Sequence, residues 1–457
     1  MSNPGEADDT PITSRRQLAE YLEAGCKPRE AWRIGTEHER FGFRRTDLSP
    51  PPYEPDGIRA MLEGLAANGW EPILDQGRLI GLKGTSARAG AAVSLEPGGQ
   101  LELSGGLMPT LHDTAQEFDT FFAETRAVAA PLGLGFAPLG FHPFATRDAM
   151  PWMPKSRYAI MRRYMPLKGR LGLDMMLRTC TVQVNLDFAS EADMVRKLRV
   201  GLALQPLATA LFANSPFIEG RPTGLLSNRA RVWTDTDPDR TGIPAAMFDP
   251  GFGFERYVEW LLDVPMYFIQ RGGAFVDVAG ASFRAFLDGR LPGHPGETPT
   301  MGDFADHITT VFPDVRLKRF LEMRGADAGS PAMMLAQSAL WTGLLYDDAA
   351  LAAAAALVAE RPWTEFAALR PLVPHQGLAT PWRSGTLRDL ARDVVAIAAE
   401  GLRARARLSP RDADEGIFLA PLEEIAAGGP TQSERWLQRY HDVWDGQASK
   451  IFLEAET

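Results

Sequence analysis

The chain has 457 residues, with 48 Lys and Arg against 58 Asp and Glu, a formal net charge of −10. Hydrophobic residues at 45% and charged residues at 23% exclude a disordered chain, and an acidic balance without a long basic run excludes a non-specific grip on nucleic acid. Two cysteines cannot build a disulfide framework or a four-sulfur zinc site, and they point to a reduced, cytoplasmic protein.

Residues 1–13 are polar and expected to be frayed, with 14–457 forming a single unit. The first segment carries acids where a signal peptide carries bases, and the alanine-dominated run 349–359 is too short to span a bilayer, so no membrane role is expected. A helix is expected over 15–24. In the segment Trp32–Phe43, Glu37 and Glu39 stand two apart, which on a strand puts both carboxylates on one face. His38 and the later His142 read as packing residues. Gly81-Leu-Lys-Gly84 and Glu96-Pro-Gly-Gly99 read as hairpin turns, and neither fits a phosphate-binding loop.

After Pro97-Gly98-Gly99, the polar Gln100, Glu102 and Ser104 alternate with Leu101 and Leu103, the pattern of a half-buried strand. A bulge at the glycines would bring Glu96 beside Glu102. Residues 110–130 read as an amphipathic helix. The clearest strand is Cys180–Asp187: Val182, Val184 and Leu186 point one way, and Thr181, Gln183, Asn185 and Asp187 the other. A helix over 191–214 follows, kinked at Pro206, and a strand over 320–325 places Glu322 and Arg324 on one face. Beyond residue 330 the chain reads as mostly helical, with Ser384 as N-cap of a helix over 387–408. The expected architecture is α+β: a mainly antiparallel sheet with one polar face, backed by helices.

Five acids on these strands, Glu37, Glu39, Glu96, Glu102 and Glu322, admit two readings. They are the solvated face of a sheet, or they are massed carboxylates that repel one another until cations neutralise them. In the second reading, hard oxygen ligands without Cys/His spacing select magnesium or manganese, and a nucleotide phosphate completes the coordination.

The segments Ile34–Phe43, Ser94–Gly105, Leu173–Asp187, Trp233–Gly242, Asp263–Phe268 and Arg316–Asp327 occur in an order that closely resembles glutamate–cysteine ligase of the plant and alphaproteobacterial type. The resemblance spans roughly residues 15–450. It implies a glutamine-synthetase-like fold, in which a curved antiparallel sheet forms an active-site funnel. It also implies ATP-dependent joining of the glutamate γ-carboxylate to the cysteine amine through a γ-glutamyl phosphate. By the same resemblance Glu37, Glu39, Glu96, Glu102 and Glu322 match metal ligands, and Gln183 stands where related ligases place a metal-side histidine. Arg324 matches the residue facing the transferring phosphoryl group and Arg229 the clamp on the glutamate carboxylate. Tyr267 matches an aromatic residue of the cysteine pocket. Lys83 and Arg178 are candidates for phosphate and carboxylate contacts, with surface salt bridging as their alternative. The chain departs from the family pattern at Ala328–Met334, where a Gly-Gly-Pro-Trp-like stretch is expected as part of the amine-substrate pocket. That departure keeps open a sister ligase using another amine, and a non-catalytic magnesium–nucleotide module is the alternative from a different class. Oligomeric state, monomer or homodimer, is left open.

Overall fold

The computed structural model describes residues 8–359 and 361–457. Among them, nine strands pair into one sheet, every pairing antiparallel. They are β1 (Ile34–Arg44), β2 (Trp70–Asp75), β3 (Arg78–Gly84), β4 (Ala92–Leu95), β5 (Leu101–Ser104), β6 (Leu134–Ala137), β7 (Thr181–Leu186), β8 (Val315–Leu317) and β9 (Leu321–Asp327). The spatial order is β8-β9-β7-β1-β5-β4-β3-β2, and β6 pairs with the far end of β1.

Register lines up the polar residues. Glu37 faces Gln183 on β7 and Ser104 on β5; Glu39 faces Glu102 on β5, which in turn faces Ser94 on β4. Glu322 faces Asn185 on one side and Arg316 on the other. Directly opposed residues in antiparallel strands share a face, so these pairings gather one polar surface from segments almost 300 residues apart.

The other face is the core. His38 and Arg40, interleaved with the β1 acids, are fully buried against the helix Leu111–Ala129, with the His38 ring 4.7 Å from that of Phe118. Arg40 lies 4.6 Å over the Phe122 ring and donates to the Thr125 hydroxyl at 3.0 Å; burial lowers its pKa to about 9. Behind β7 and β1 packs a helix over Pro331–Leu345, and behind β9 one over Glu191–Leu211 that contains Pro206. The main hydrophobic cluster runs from Ile12 to Ala426, and a second, smaller one gathers Phe41, Phe43, Phe217, Trp444 and Phe452. The apolar run expected as a helix forms Asp348–Val358, set at 93° to Pro331–Leu345, and no single described helix is long and apolar enough to cross a membrane.

Several local expectations are revised. Residues 1–7 of the expected frayed terminus lie outside the described residues, whereas residues 8–12 are held: Ile12 N–H donates to the Pro299 carbonyl and Met301 N–H to the Thr10 carbonyl. Gly81-Leu-Lys-Gly84 is not a turn but the second half of β3, because it pairs with Ala92–Ser94 on one side and Trp70–Ile73 on the other. The Pro97-Gly98-Gly99 break is a tight turn rather than a bulge: Glu96 N–H donates to the Gln100 carbonyl and Gly99 N–H to the Glu96 carbonyl, with Gly99 at φ +86°. The sheet's register shifts fall elsewhere, between Ile73 and Leu74 and between Met323 and Ala326, the second displacing Arg324 and Gly325. Thr386, not Ser384, caps the helix Leu387–Arg405, because Asp389 completes a capping box with it.

Candidate active site

The polar face opens into a cleft lined by Glu37, Glu39, Glu96, Glu102, Gln183, Arg229 and Arg324, together with Arg157, Arg316, Trp233 and Phe312. One wall is acidic and the other carries guanidinium groups. On the acidic wall, Glu37 Oε1 accepts from the Asn185 amide at 2.8 Å and Glu39 Oε2 from the Thr181 N–H at 2.9 Å. Burial, then the charges of Glu96 and Glu102, push the Glu39 carboxyl well above the usual carboxylate range, with Arg229 and the Thr181 N–H opposing. Glu102 is pushed up by burial and by Glu96, while the Ser104 hydroxyl donates to its Oε1 at 2.7 Å. Among the described residues no three acidic, His or Cys side chains already stand close enough to hold a metal ion.

On the basic wall, Arg229 is 3% exposed and sits on the short helix Asn228–Trp233, where its Nη2 donates to the Arg324 carbonyl at 3.0 Å. Arg324 Nη1 donates to Glu322 Oε2 at 2.9 Å and to Gln183 Oε1. Arg229, Trp233, Phe312 and Arg324 also line an adjoining pocket together with Asp314 and Arg370, which pair at 2.8 and 3.0 Å.

Glu322 departs from the expected ligand set. It is fully buried and does not line the cleft. Its oxygens accept from Arg316 Nε at 2.6 Å and Nη2 at 3.0 Å, from Lys318 Nζ at 3.1 Å and from Arg324. Although burial opposes ionisation, Arg316, Lys318 and Arg324 hold the carboxyl well below its ordinary value. Both oxygens are thus committed to cations. Gln183 likewise spends its carbonyl oxygen on Arg324.

Three further candidates lie away from the cleft. Tyr267 is fully buried, its hydroxyl donating to Asp237 Oδ2 at 3.3 Å and its ring lying 3.8 Å beneath the Arg240 guanidinium. Arg178 is buried and committed to Asp174, to Glu219 at 3.0 Å and to the Ala145 carbonyl. Lys83 is exposed on β3, outside the cleft lining. Ala328–Met334 does not line the cleft either: Ser330 caps the helix Pro331–Leu345, and Ala328, Met333 and Met334 are buried. His142 is a packing residue whose Nδ1 accepts the Ala145 N–H at 2.9 Å, with burial lowering its pKa to about 3. Cys180 is a buried thiol, pushed up by burial.

Sequence reasoning missed Arg157, Arg316, Lys318 and Lys155. Arg316 and Lys318 alternate beside Glu322 in sequence, a visible signal of one charged strand face. Lys155 carried no such signal. It is 3% exposed, donates to the Ser94 hydroxyl at 3.2 Å, and is lowered to about 8 by burial in spite of Glu96.

Residues 33–454 match the model of glutamate–cysteine ligase family 2. The chain is 50% identical over 445 residues to the chloroplastic glutamate–cysteine ligases of Brassica juncea and Arabidopsis thaliana, covering 97% of this chain and 84% and 83% of those proteins. Glutamate–cysteine ligase B of Oryza sativa subsp. japonica, also chloroplastic, is 48% identical over the same length. A crystal structure of glutamate–cysteine ligase from Francisella tularensis in complex with AMP shares the fold, with a TM-score of 0.57 at 12% identity over 93% of this chain and 87% of that one. The chloroplastic relatives overturn the cytoplasmic placement expected from the sparse cysteines and the polar first segment, neither of which encodes a compartment. The chain belongs to glutamate–cysteine ligase family 2 and carries out ATP-dependent γ-glutamyl ligation in glutathione biosynthesis.

Proposed function

We propose that the two walls of the cleft divide the reaction between them. Glu37, Glu39, Glu96 and Glu102 hold magnesium, or manganese with the same oxygen chemistry. Burial first and then their crowding raise the Glu39 and Glu102 carboxyls, and the crowding is the repulsion a divalent cation relieves. When bound, the metal supplies charge screening of the ATP phosphates. Glu322 is better suited to fixing Arg316 and Arg324 in place than to ligating, since its oxygens are already shared among three cations.

Arg229 clamps the glutamate α-carboxylate with its planar fork, which leaves the γ-carboxylate directed at the ATP γ-phosphorus. The γ-carboxylate oxygen attacks that phosphorus and the bond to the ADP oxygen breaks. Arg324 faces the transferring phosphoryl group as charge spreads over its equatorial oxygens. The cysteine amine then attacks the acyl carbon of the γ-glutamyl phosphate, losing a proton as inorganic phosphate leaves. Trp233 and Phe312 wall the cleft beside both arginines and limit water, which would otherwise hydrolyse the acyl phosphate.

The observation that carries this reading is the Arg229 guanidinium donating to the Arg324 main-chain carbonyl, with both arginines lining the same cleft as the four acids. ADP release is measured with glutamate and ATP, with and without cysteine, over a magnesium titration and a panel of amines. The expected result is magnesium-dependent turnover that is fastest with cysteine. Turnover indifferent to magnesium would sink the metal assignment, and a faster alternative amine would sink the cysteine assignment.

A further inference from the structure

Strand β9 ends in Asp327, three residues beyond Arg324. Asp327 is 1% exposed and does not line the cleft. Its Oδ2 accepts the Asn214 N–H at 2.8 Å and the Ser215 hydroxyl at 2.6 Å, and its Oδ1 accepts the Ser227 hydroxyl at 2.8 Å. Each serine acts in the opposite sense toward the helix that carries Arg229. Ser227 Oγ accepts the Ala230 N–H at 3.1 Å as the helix N-cap, and Ser215 Oγ accepts the N–H of Arg229 itself at 3.2 Å.

A hydroxyl has one proton to give, and its lone pairs face a partner only when that proton points elsewhere. A carboxylate that takes both serine protons therefore turns both oxygens toward the helix backbone. An amide at this position would present a donor to one of them. The carboxylate also packs directly on Gly140, where a Cβ would lie 2.3 Å from the Asp327 carboxyl carbon, so a longer side chain has no room. Arg229 is lowered chiefly by burial, and Asp327 is the leading carboxylate opposing that effect. Asp327 and the Arg324 carbonyl thus join β9 to the Arg229 helix at two points, one at its capped end and one at the guanidinium.

We propose that Asp327 is a positioning residue for glutamate binding: by holding Ser215 and Ser227 as acceptors it sets where the Arg229 guanidinium stands relative to Arg324. The inference rests on Arg229 being the clamp on the glutamate carboxylate.

The test compares Asp327→Asn, Ser215→Ala, Ser227→Ala and Arg229→Lys in the full-length enzyme, reading kcat, the KM for glutamate and for ATP, and the thermal unfolding midpoint. Asp327→Asn is expected to raise the glutamate KM roughly tenfold while leaving the ATP KM within about twofold, with Ser215→Ala following in the same direction. Asp327→Asn added to Arg229→Lys is expected to raise the glutamate KM little further, since the guanidinium it positions is gone. A lowered unfolding midpoint with an unchanged glutamate KM would make Asp327 merely structural and overturn the proposal. Should Asp327→Asn fail to fold, an unchanged glutamate KM in both serine variants overturns it equally. If Arg229→Lys raises the glutamate KM and Asp327→Asn does not, positioning alone falls; if Arg229→Lys leaves it unchanged, the clamp assignment falls and takes this inference with it.

Discussion

The Arg229 guanidinium donates to the Arg324 carbonyl, yet the proposed reaction asks different things of the two side chains. Replacing Arg229 by Lys exchanges a bidentate fork for a point charge on a ground-state carboxylate, so the glutamate KM is expected to rise with kcat nearly kept. Replacing Arg324 by Lys removes a contact that strengthens as the phosphoryl group transfers, so kcat is expected to fall on the order of 100-fold. Steady-state kinetics on the pair checks both, and exchanged phenotypes would reverse the assignment. Glu322 makes a different prediction. Its carboxylate neutralises Arg316, Lys318 and Arg324 from a fully buried position, and Glu322→Gln leaves those cations short of a partner. Removing one member of a buried charge group costs about 3–5 kcal/mol, so this variant should unfold at clearly lower urea, unlike Glu37→Gln at the cleft surface. Equal unfolding midpoints for the two would contradict the network.

Between elements, the contacts that set spacing are as decisive as those that bear charge. The helices Pro331–Leu345 and Leu387–Arg405 touch backbone to backbone: a Cβ on Gly401 would stand 2.0 Å from the Gly343 carbonyl oxygen, and one on Gly343 would stand 2.3 Å from that of Ala398. Gly401→Ala would gain about 1 kcal/mol of helix propensity. Separating the two helices costs more, with overpacking at about 1–3 kcal/mol or above, and the net effect is expected to be destabilising. Denaturant unfolding reads it directly, and a stabilised variant would mean the helices do not meet there. On the far side of the sheet, Glu117 in the helix Leu111–Ala129 accepts the Gly106 N–H at 2.8 Å, and burial raises its pKa from 4.5 to about 7 against that bond. Between those two values the folded protein keeps a proton that the unfolded chain has released, so stability falls as pH rises through the window. The loss is complete above about pH 7 and on the order of 3 kcal/mol. Glu117→Gln retains a carbonyl for Gly106 and removes the charge. It is expected to raise the unfolding midpoint at pH 8 and change little at pH 5, and an equal effect at both would refute the titration.

Across the whole molecule, one sheet separates a polar cleft from a core that buries residues from Ile12 to Ala426. On β1, β5, β7 and β9 the strand and its polar face were legible in the sequence, because side chains alternate with a period of two whatever the strand later pairs with, whereas the second half of β3 read as a turn. Thus Thr181–Leu186 formed as read, and Glu37, Glu39, Glu96 and Glu102 all reached the cleft. The motifs in Ile34–Phe43 and Arg316–Asp327 likewise pointed to the family. The cap was misread as Ser384, although Asp389, three residues beyond Thr386, carries the capping-box signal. Which partner each charged or polar group would take was settled by the folded arrangement. Tyr267 went to Asp237 and Arg240, Arg178 to Asp174 and Glu219, and the buried Glu322 to Arg316, Lys318 and Arg324. The physical reason is that a strand's period fixes the face of a side chain, while its contacts depend on register and burial set by segments far away. Gln183 reaches Arg324 across 141 residues, and Ser227 reaches Asp327 across 100.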